Sequence, residues 1–188
     1  FQTEEQINNY VSGNGTIIQP NAQPGDVIYV DRNGDGVINE NDKTNIGDPN
    51  PDLTYGFSFS ANYKAFDFSL QASGVAGNQI VQSYRNQSNA YGNYTADVLN
   101  RWHGPGSSNE IPRVTLDNRN WTTFSDLYVH DGDFLRINTV TLGFDFAKLY
   151  QDKQLFASQI RLYFSVLNLY TFTNYSGMDP EVGYGISN

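Results

Sequence analysis

The 188-residue sequence contains no cysteine and only two histidines, His103 and His130. The absence of cysteine excludes disulfide bonds, thiolate metal sites and cysteine nucleophiles. Two histidines are too few for a multi-histidine zinc site or a histidine proton relay. No apolar run approaches the roughly 18 residues of a membrane-spanning helix, and the first residues do not resemble a signal peptide.

Basic residues are also scarce, because 11 Lys and Arg stand against 20 Asp and Glu, for a net charge of −9. Nucleic-acid binders need a basic stripe that displaces counterions from phosphates, so no nucleic-acid partner is expected. Charged residues make up 16% of the chain and aromatic residues 14%, whereas an average soluble domain is about 25% charged. This composition favours a β-rich chain with amphipathic strands.

Four segments alternate apolar and polar residues: 53–63, 66–73, 138–146 and 160–166. Strict alternation is typical of a strand with one apolar and one polar face. Only Lys64 and Ala65 separate the first two segments, which therefore form a predicted antiparallel hairpin, and the last two form a second hairpin. Between the hairpins lies a long irregular stretch, roughly residues 77–133.

Membrane barrels and soluble β-sandwiches both contain such strands, so strand length and polarity must separate them. Sandwich strands usually have about 5–6 residues, whereas a tilted strand that crosses a bilayer needs about 9–11. The segments here are of the longer kind, with polar faces suited to a wet lumen and Tyr or Phe near their ends. The pattern predicts an all-β fold of antiparallel strands in part of a large transmembrane β-barrel, with residues 77–133 as a long extracellular loop. A β-sandwich is the alternative.

Residues 31–42 (DRNGDGVINEND) match the twelve-residue calcium loop of EF-hands and dockerins. Ca²⁺ binds six to eight oxygen atoms, which this spacing directs to one point. The predicted ligands are Asp31, Asn33, Asp35, the carbonyl of Val37, Asn39 and Asp42. Asp42 is shorter than the usual Glu, and Asn-Gly and Asp-Gly are also ordinary turn dipeptides. Because no helices flank the loop, we expect Ca²⁺ as a structural cofactor and not as a switch.

Other side chains give weaker signals. No nucleophile lies near Asp126, Asp131 and Asp133, so the chain is not expected to be an enzyme. Aromatic residues of the long loop either stack on sugar or peptide or pack the loop, and packing is favoured; they are Trp102, Trp121, Tyr84, Tyr91 and Tyr94. Scattered arginines are interpreted as loop salt bridges, and these are Arg85, Arg101, Arg113 and Arg119.

Four blocks between residues 24 and 183 stand in a recognisable order. They are PGDVIYVDRNGDGVINENDKTNIGDPNPDLTYGFSFSANYKAFDFSL, RWHGPGSSNEIPR, DGDFLRINTVTLGFDF and LNLYTFTNYSGMDPEV. In this order they resemble the late barrel region of SusC/RagA-family TonB-dependent outer-membrane transporters of Bacteroidota. The chain also begins without Met inside a polar segment, which is typical of a piece of a longer protein.

The resemblance implies that residues 1–188 are the C-terminal portion of a plugged barrel of about 22 strands, without its plug and first strands. It also implies the bacterial outer membrane and its lipid, a SusD-like surface lipoprotein as a lid, and TonB acting through the missing N-terminal part. The cargo would be an oligosaccharide or a peptide, and the family has no catalytic residues. The competing hypothesis is a soluble, calcium-stabilised β-sandwich module for carbohydrate binding or adhesion, which would fold without detergent.

Overall fold

The computed structural model describes residues 1–82, 96–115, 120, 123–149 and 160–181. The helices are α1 (Glu4–Asn9) and α2 (Phe146–Leu149), with short 3₁₀ turns at Glu40–Asp42, Ala96–Asn100 and Asp126–Tyr128. The strands are β1 (Leu53–Tyr63), β2 (Phe66–Ala76), β3 (Gln79–Val81), β4 (Val129–Asp131), β5 (Phe134–Asp145) and β6 (Arg161–Thr173). No helix in these ranges is long and apolar enough to cross a membrane.

The chain divides into two compact units. The first consists of Phe1–Ile46 and Gln82–Val129, and the second of Gly47–Val81 and His130–Asn188. The first unit buries Phe1, Ile7 and Tyr128, and Thr3 caps α1 by accepting the N–H of Gln6. The second unit contains the main sheet.

The main sheet has four antiparallel strands in the order β1-β2-β5-β6, while β3 and β4 form a separate two-stranded sheet. The four predicted strands and the hairpin turn at Lys64 and Ala65 are therefore confirmed. Phe66 pairs with Phe144, so the link from β5 to β6 leaves from the same end of the sheet as this turn. Val75 pairs with Phe134, so residues 77–133 leave from the opposite end, which we call the loop end.

The register sorts the side chains of the main sheet onto one apolar and one polar face. Phe57 pairs with Ala72, which pairs with Ile137, and the same face carries Leu70, Val140 and Val166. The opposite face carries Ser69, Thr141 and Ser165 in one row across three strands. Cross-strand rows of this kind stabilise a sheet through their side-chain contacts.

The apolar face is open along both edge strands. Phe57 is 59% exposed on β1, and Phe164 is 70% exposed on β6. A β-sandwich buries such side chains against its second sheet, and an apolar area of this size on a water-soluble protein would be a liability. The exposure favours a barrel wall over the sandwich alternative.

Two irregularities shift the alternation within β5 and β6. The pairing of β5 with β2 skips Asn138, and the pairing of β6 with β5 is interrupted beside Asn168, whose φ is 49°. Apolar positions of β5 are therefore odd-numbered before Asn138 and even-numbered after it. The alternation changes phase at these points, so the sequence pattern predicted a start of β5 at residue 138 and an end of β6 at residue 166. In the structure, β5 begins at Phe134 and β6 ends at Thr173.

Two glycines let a side chain cross over a neighbouring strand. A Cβ on Gly143 would meet the carboxylate of Asp67, which reaches over β5 to Arg161 on β6, with 2.5 Å between Oδ2 and Nη2. A Cβ on Gly74 would meet the carbonyl oxygen of Phe134 and the hydroxyl of Tyr55, which donates to that carbonyl over 2.9 Å. Both contacts therefore depend on glycine, which has no side chain, at these two positions.

The apolar, β-branched run at residues 27–30 (VIYV) predicts a strand, but the segment belongs to neither sheet, so this prediction is wrong. Side chains, not a partner strand, form hydrogen bonds with the backbone of this extended segment. Asn120 accepts from the Val27 N–H, and Gln19 accepts from the Tyr29 N–H. The Tyr10 hydroxyl donates to the Tyr29 carbonyl. An apolar, β-branched run signals extended backbone, but it does not reveal which groups will complete the hydrogen bonds.

Candidate functional site

The predicted calcium loop folds into a ring of side-chain-to-backbone hydrogen bonds. Asp31 accepts the N–H groups of Gly34 and Gly36, each over 2.7 Å. These glycines have φ values of 76° and 84°, so both occupy the left-handed region that favours glycine. The turns anticipated from the spacing are therefore present, and the carboxylate at position 1 organises them.

Four of the predicted ligands lie together on one side of the loop. The side-chain nitrogen of Asn33 donates to Oδ2 of Asp35 over 2.8 Å. The side-chain nitrogen of Asn39 lies 3.1 Å from the Val37 carbonyl and 3.5 Å from the same Asp35 oxygen. Oxygens at positions 5 and 7 thus converge on an amide nitrogen at position 9. The oxygens of the two amides accept the N–H groups of Asp35 and Asn41 over 2.9 and 2.8 Å, so a hard cation, which prefers oxygen ligands, would compete with these hydrogen bonds.

Asp42 closes the loop at position 12. Its two oxygens accept the N–H groups of Arg32 and Asn39 over 2.9 and 2.8 Å, and Asn39 in turn caps the 3₁₀ turn. These backbone hydrogen bonds from Asn39 and Arg32 hold the pKa of Asp42 below its ordinary value. The described residues contain no group of three or more His, Cys, Asp or Glu side chains placed to hold a metal ion. Backbone N–H groups therefore hold the carboxylates of Asp31 and Asp42, while the predicted ligands at residues 33, 35, 37 and 39 lie close together.

A second polar centre in the first unit was not predicted. Asp26 pairs with Arg113, with 2.5 Å between Oδ1 and Nε, and it also accepts from the side chain of Asn120 and the N–H of Gln23. Burial raises the pKa of Asp26, but the hydrogen bonds from Arg113, Asn120 and Gln23 and the charge of Arg113 outweigh it, so the pKa is lowered. The ion pair supports the salt-bridge interpretation of Arg113.

Trp102 lies beside this centre and packs the loop. A Cβ on Gly25 would meet the Trp102 ring, which therefore covers the glycine directly. The indole N–H donates to Oε1 of Gln2 over 2.9 Å. The contact with Gly25 and the hydrogen bond to Gln2 place Trp102 in packing, as the favoured interpretation predicted. The PGD and RWHGPGSSNEIPR blocks thus meet in space, a contact that their spacing in the sequence does not reveal.

The remaining weak candidates do not form a reactive site where the structure describes them. Asp133 accepts the Gly77 N–H over 2.6 Å and Asp131 accepts the Asp133 N–H over 3.0 Å, so both carboxylates hold backbone turns. Asp126 begins a 3₁₀ turn. Arg101 donates to the carbonyl of Val98. The other named candidates lie outside the described residues: Tyr84, Arg85, Tyr91, Tyr94, Arg119 and Trp121.

Comparison with known proteins gives consistent matches along most of the chain. TonB-dependent receptor P3 of Formosa agariphila is 32% identical over 180 residues, which are 95% of this chain and 18% of that receptor. TonB-dependent receptor SusC of Bacteroides thetaiotaomicron is 29% identical over 170 residues, 90% of this chain and 17% of SusC. The chain is similar to SusC and to other TonB-dependent receptors along most of its length. No protein-family model matches it.

Solved structures extend the family likeness to the fold. The RagAB peptide importer in its closed-closed state superposes with a TM-score of 0.63 at 23% identity, covering 82% of this chain and 18% of that one. In the open-open state the TM-score is 0.56 at 24% identity over 71% of this chain and 15% of that one. The all-β antiparallel sheet therefore has the fold of part of these transporter structures.

The chain spans about a sixth of the length of these relatives, 18% of receptor P3 and 17% of SusC. The SusC/RagA relatives are receptors and not enzymes, which agrees with the prediction that this chain carries no catalytic residues.

Proposed function

We propose that this chain is part of the barrel wall of an outer-membrane importer that takes up nutrients with energy relayed by TonB. The observation that carries the proposal is the main sheet, whose apolar face stays exposed along β1 and β6 while its opposite face is lined by Ser and Thr. Lipid would cover the apolar face, and water would fill the space beside the polar one. The family likeness supports the same assignment.

The proposed partners follow from the family. A SusD-like surface lipoprotein would cover the barrel, and TonB would act through a part of the protein that lies outside this chain. The cargo class is an oligosaccharide or a peptide, and the peptide importer RagAB is among the similar structures. Residues 77–133 would face the cell exterior, since they leave the main sheet at the end opposite the tight turn.

We also propose that residues 31–42 hold a structural Ca²⁺ ion. The spacing of oxygen-bearing residues supports this, as does the convergence of Asp35, Val37 and Asn39 on one side of the loop. A cation there would neutralise the mutual repulsion of Asp31, Asp35 and Asp42.

Cell fractionation of the full-length parent protein tests the transport proposal. We expect a protein much larger than 21.1 kDa in the outer-membrane fraction, soluble only with detergent and with a gel mobility that changes on boiling, since closed barrels resist unfolding by detergent alone. A water-soluble, monodisperse protein with unchanged mobility after boiling would contradict the proposal and favour the binding-module alternative.

A further inference from the structure

The chain that follows β6 turns back over the polar face of the main sheet at its loop end. We call residues 174–181 the strap. Pro180 within it is buried, and the ring of Tyr175 lies 6.0 Å from the ring of His130, between centroids. At the base of the strap, the Thr173 hydroxyl donates to the carbonyl of Asp133 and accepts the N–H of Tyr175. The strap is therefore docked on the sheet unit.

Arg136 on β5 is the main charged contact of the strap. It belongs to the polar face, because it pairs with Ser73 on β2 and with Thr171 on β6. Its Nη2 donates to Oδ1 of Asp179 over 2.6 Å, and its Nη1 donates to the carboxylate of Glu181. Its Nε donates to the Thr171 hydroxyl over 2.9 Å. One guanidinium thus joins two strands and both acids of the strap.

The partners in this contact differ in burial. The Arg136 side chain is only 13% exposed, whereas those of Asp179 and Glu181 are 40% and 61% exposed. A guanidinium removed from water needs anionic partners, but the two carboxylates would be well solvated without it. Asp179 also accepts the N–H of Glu181 over 2.9 Å, which fixes the turn that presents both acids. The planar fork of arginine suits two carboxylates at once, which a lysine ammonium does not.

We propose that Arg136 is the positioning residue that holds the strap against the polar face. With the fork intact, the strap lies over the sheet between β5 and β6. Without it, the strap loses its charged contact with the sheet, and its distance from the face increases. In the importer proposed above, the polar face lines the passage, so the strap sets the free width at the loop end.

Pulsed electron paramagnetic resonance on the full-length parent protein in detergent tests the strap. Spin labels are attached to cysteines introduced at Ser58, on the polar side of β1, and at Ser176 in the strap, in a background without other cysteines. We expect one narrow distance distribution for the parent. Arg136→Gln should broaden it and shift it to longer distances, while Arg136→Lys should give an intermediate result because a point charge holds one carboxylate at a time.

Arg161→Gln is the matched control, since Arg161 also forms an ion pair on the polar face but with Asp67 and away from the strap. The control should keep the narrow distribution. A narrow distribution in Arg136→Gln, or equal broadening in both variants, would overturn the proposal. Should Arg136→Gln not fold, the Asp179→Asn, Glu181→Gln double variant removes the same contact from the exposed side and must give the same broadening. The distances can be measured whether or not the protein imports anything, so failure here is distinct from failure of the transport proposal.

Discussion

At the residue scale, three glycines of the main sheet differ in the atoms that an added methyl group would meet. At Gly74 it would strike the backbone carbonyl of Phe134, and at Gly143 it would strike the carboxylate of Asp67. At Gly56 the nearest atom, the Ala72 carbonyl oxygen, is 3.9 Å away, an ordinary contact. A carboxylate moves more easily than a backbone, so the same substitution should have three different costs.

We predict that Gly74→Ala destabilises the barrel by about 1–3 kcal/mol, because the backbone must shift. Gly143→Ala should cost less than about 1 kcal/mol, because it displaces only the partly exposed ion pair of Asp67 with Arg161. In an Asp67→Asn background, where this ion pair is already lost, Gly143→Ala should cause no further loss of stability. Gly56→Ala should stay within about 0.5 kcal/mol of the parent. The temperature at which boiling-dependent gel mobility changes ranks the three variants. A Gly56→Ala effect as large as that of Gly74→Ala would contradict the explanation.

Asp26 gives the first unit a defined acid sensitivity. Its pKa in the folded protein is lower than its ordinary value of 3.8, so its stabilising effect is complete above that value. The effect is lost as the pH falls through the lowered pKa, because the unfolded chain then binds the proton first. We predict that pepsin cleavage within residues 20–30 rises as the pH falls below about 4.

The Asp26→Asn variant is the control for this effect. Its cleavage should already be high at about pH 4 and should change little below it, since Arg113 then lacks its carboxylate partner at every pH. An identical pH profile for parent and variant would remove Asp26 from the explanation.

At the scale of elements, we predict that Ca²⁺ changes the rate at which protease cleaves the predicted calcium loop. Ca²⁺ should protect the full-length protein from Glu-C cleavage after the exposed Glu40, because the ion ties positions 31 to 42 together. Asp31→Ala and Asp35→Ala should each abolish this protection, whereas Asn41→Ala, which changes a position that does not ligate, should retain it. Equal cleavage of the parent with Ca²⁺ and with a chelator would remove the metal from the account.

The strands show how far sequence patterns reach. β1 and β2 were predicted closely, since their apolar faces alternate without a break from Leu53 to Ala72 around a two-residue turn. β5 and β6 were predicted in part, because Asn138 and Asn168 shift the phase and each strand continues beyond the shift. A period-two pattern identifies a strand only as long as the pairing stays regular.

The polar contacts were less predictable than the strands. Asp26 and Arg113 lie 87 residues apart, and Arg136 and Asp179 lie 43 apart. No periodicity relates such positions, so only the fold brings them together. The predicted calcium loop could be proposed from the sequence because its candidate ligands lie within twelve consecutive residues, and its glycine turns are present. Its metal content is a separate prediction that proteolysis tests.

At the scale of the whole molecule, the two faces of the main sheet meet different surroundings in the proposed barrel. The apolar face of the main sheet would contact lipid, and the polar face, with the strap and the ion pairs of Arg136 and Arg161, would contact water. This assignment accounts for the open apolar side chains of the edge strands and for the polar residues that a soluble sandwich would place outside. It also fits the likeness to TonB-dependent receptor barrels.

Single cysteines at positions 57, 58, 59 and 60 of β1 test the assignment most directly. In the full-length protein in native outer membranes, a small, water-soluble thiol reagent should label Ser58→Cys and Ser60→Cys quickly, and it should label Phe57→Cys and Phe59→Cys slowly, because lipid covers the apolar face. Equal and rapid labelling at all four positions would show that both faces lie in water, and the barrel-wall account would be wrong.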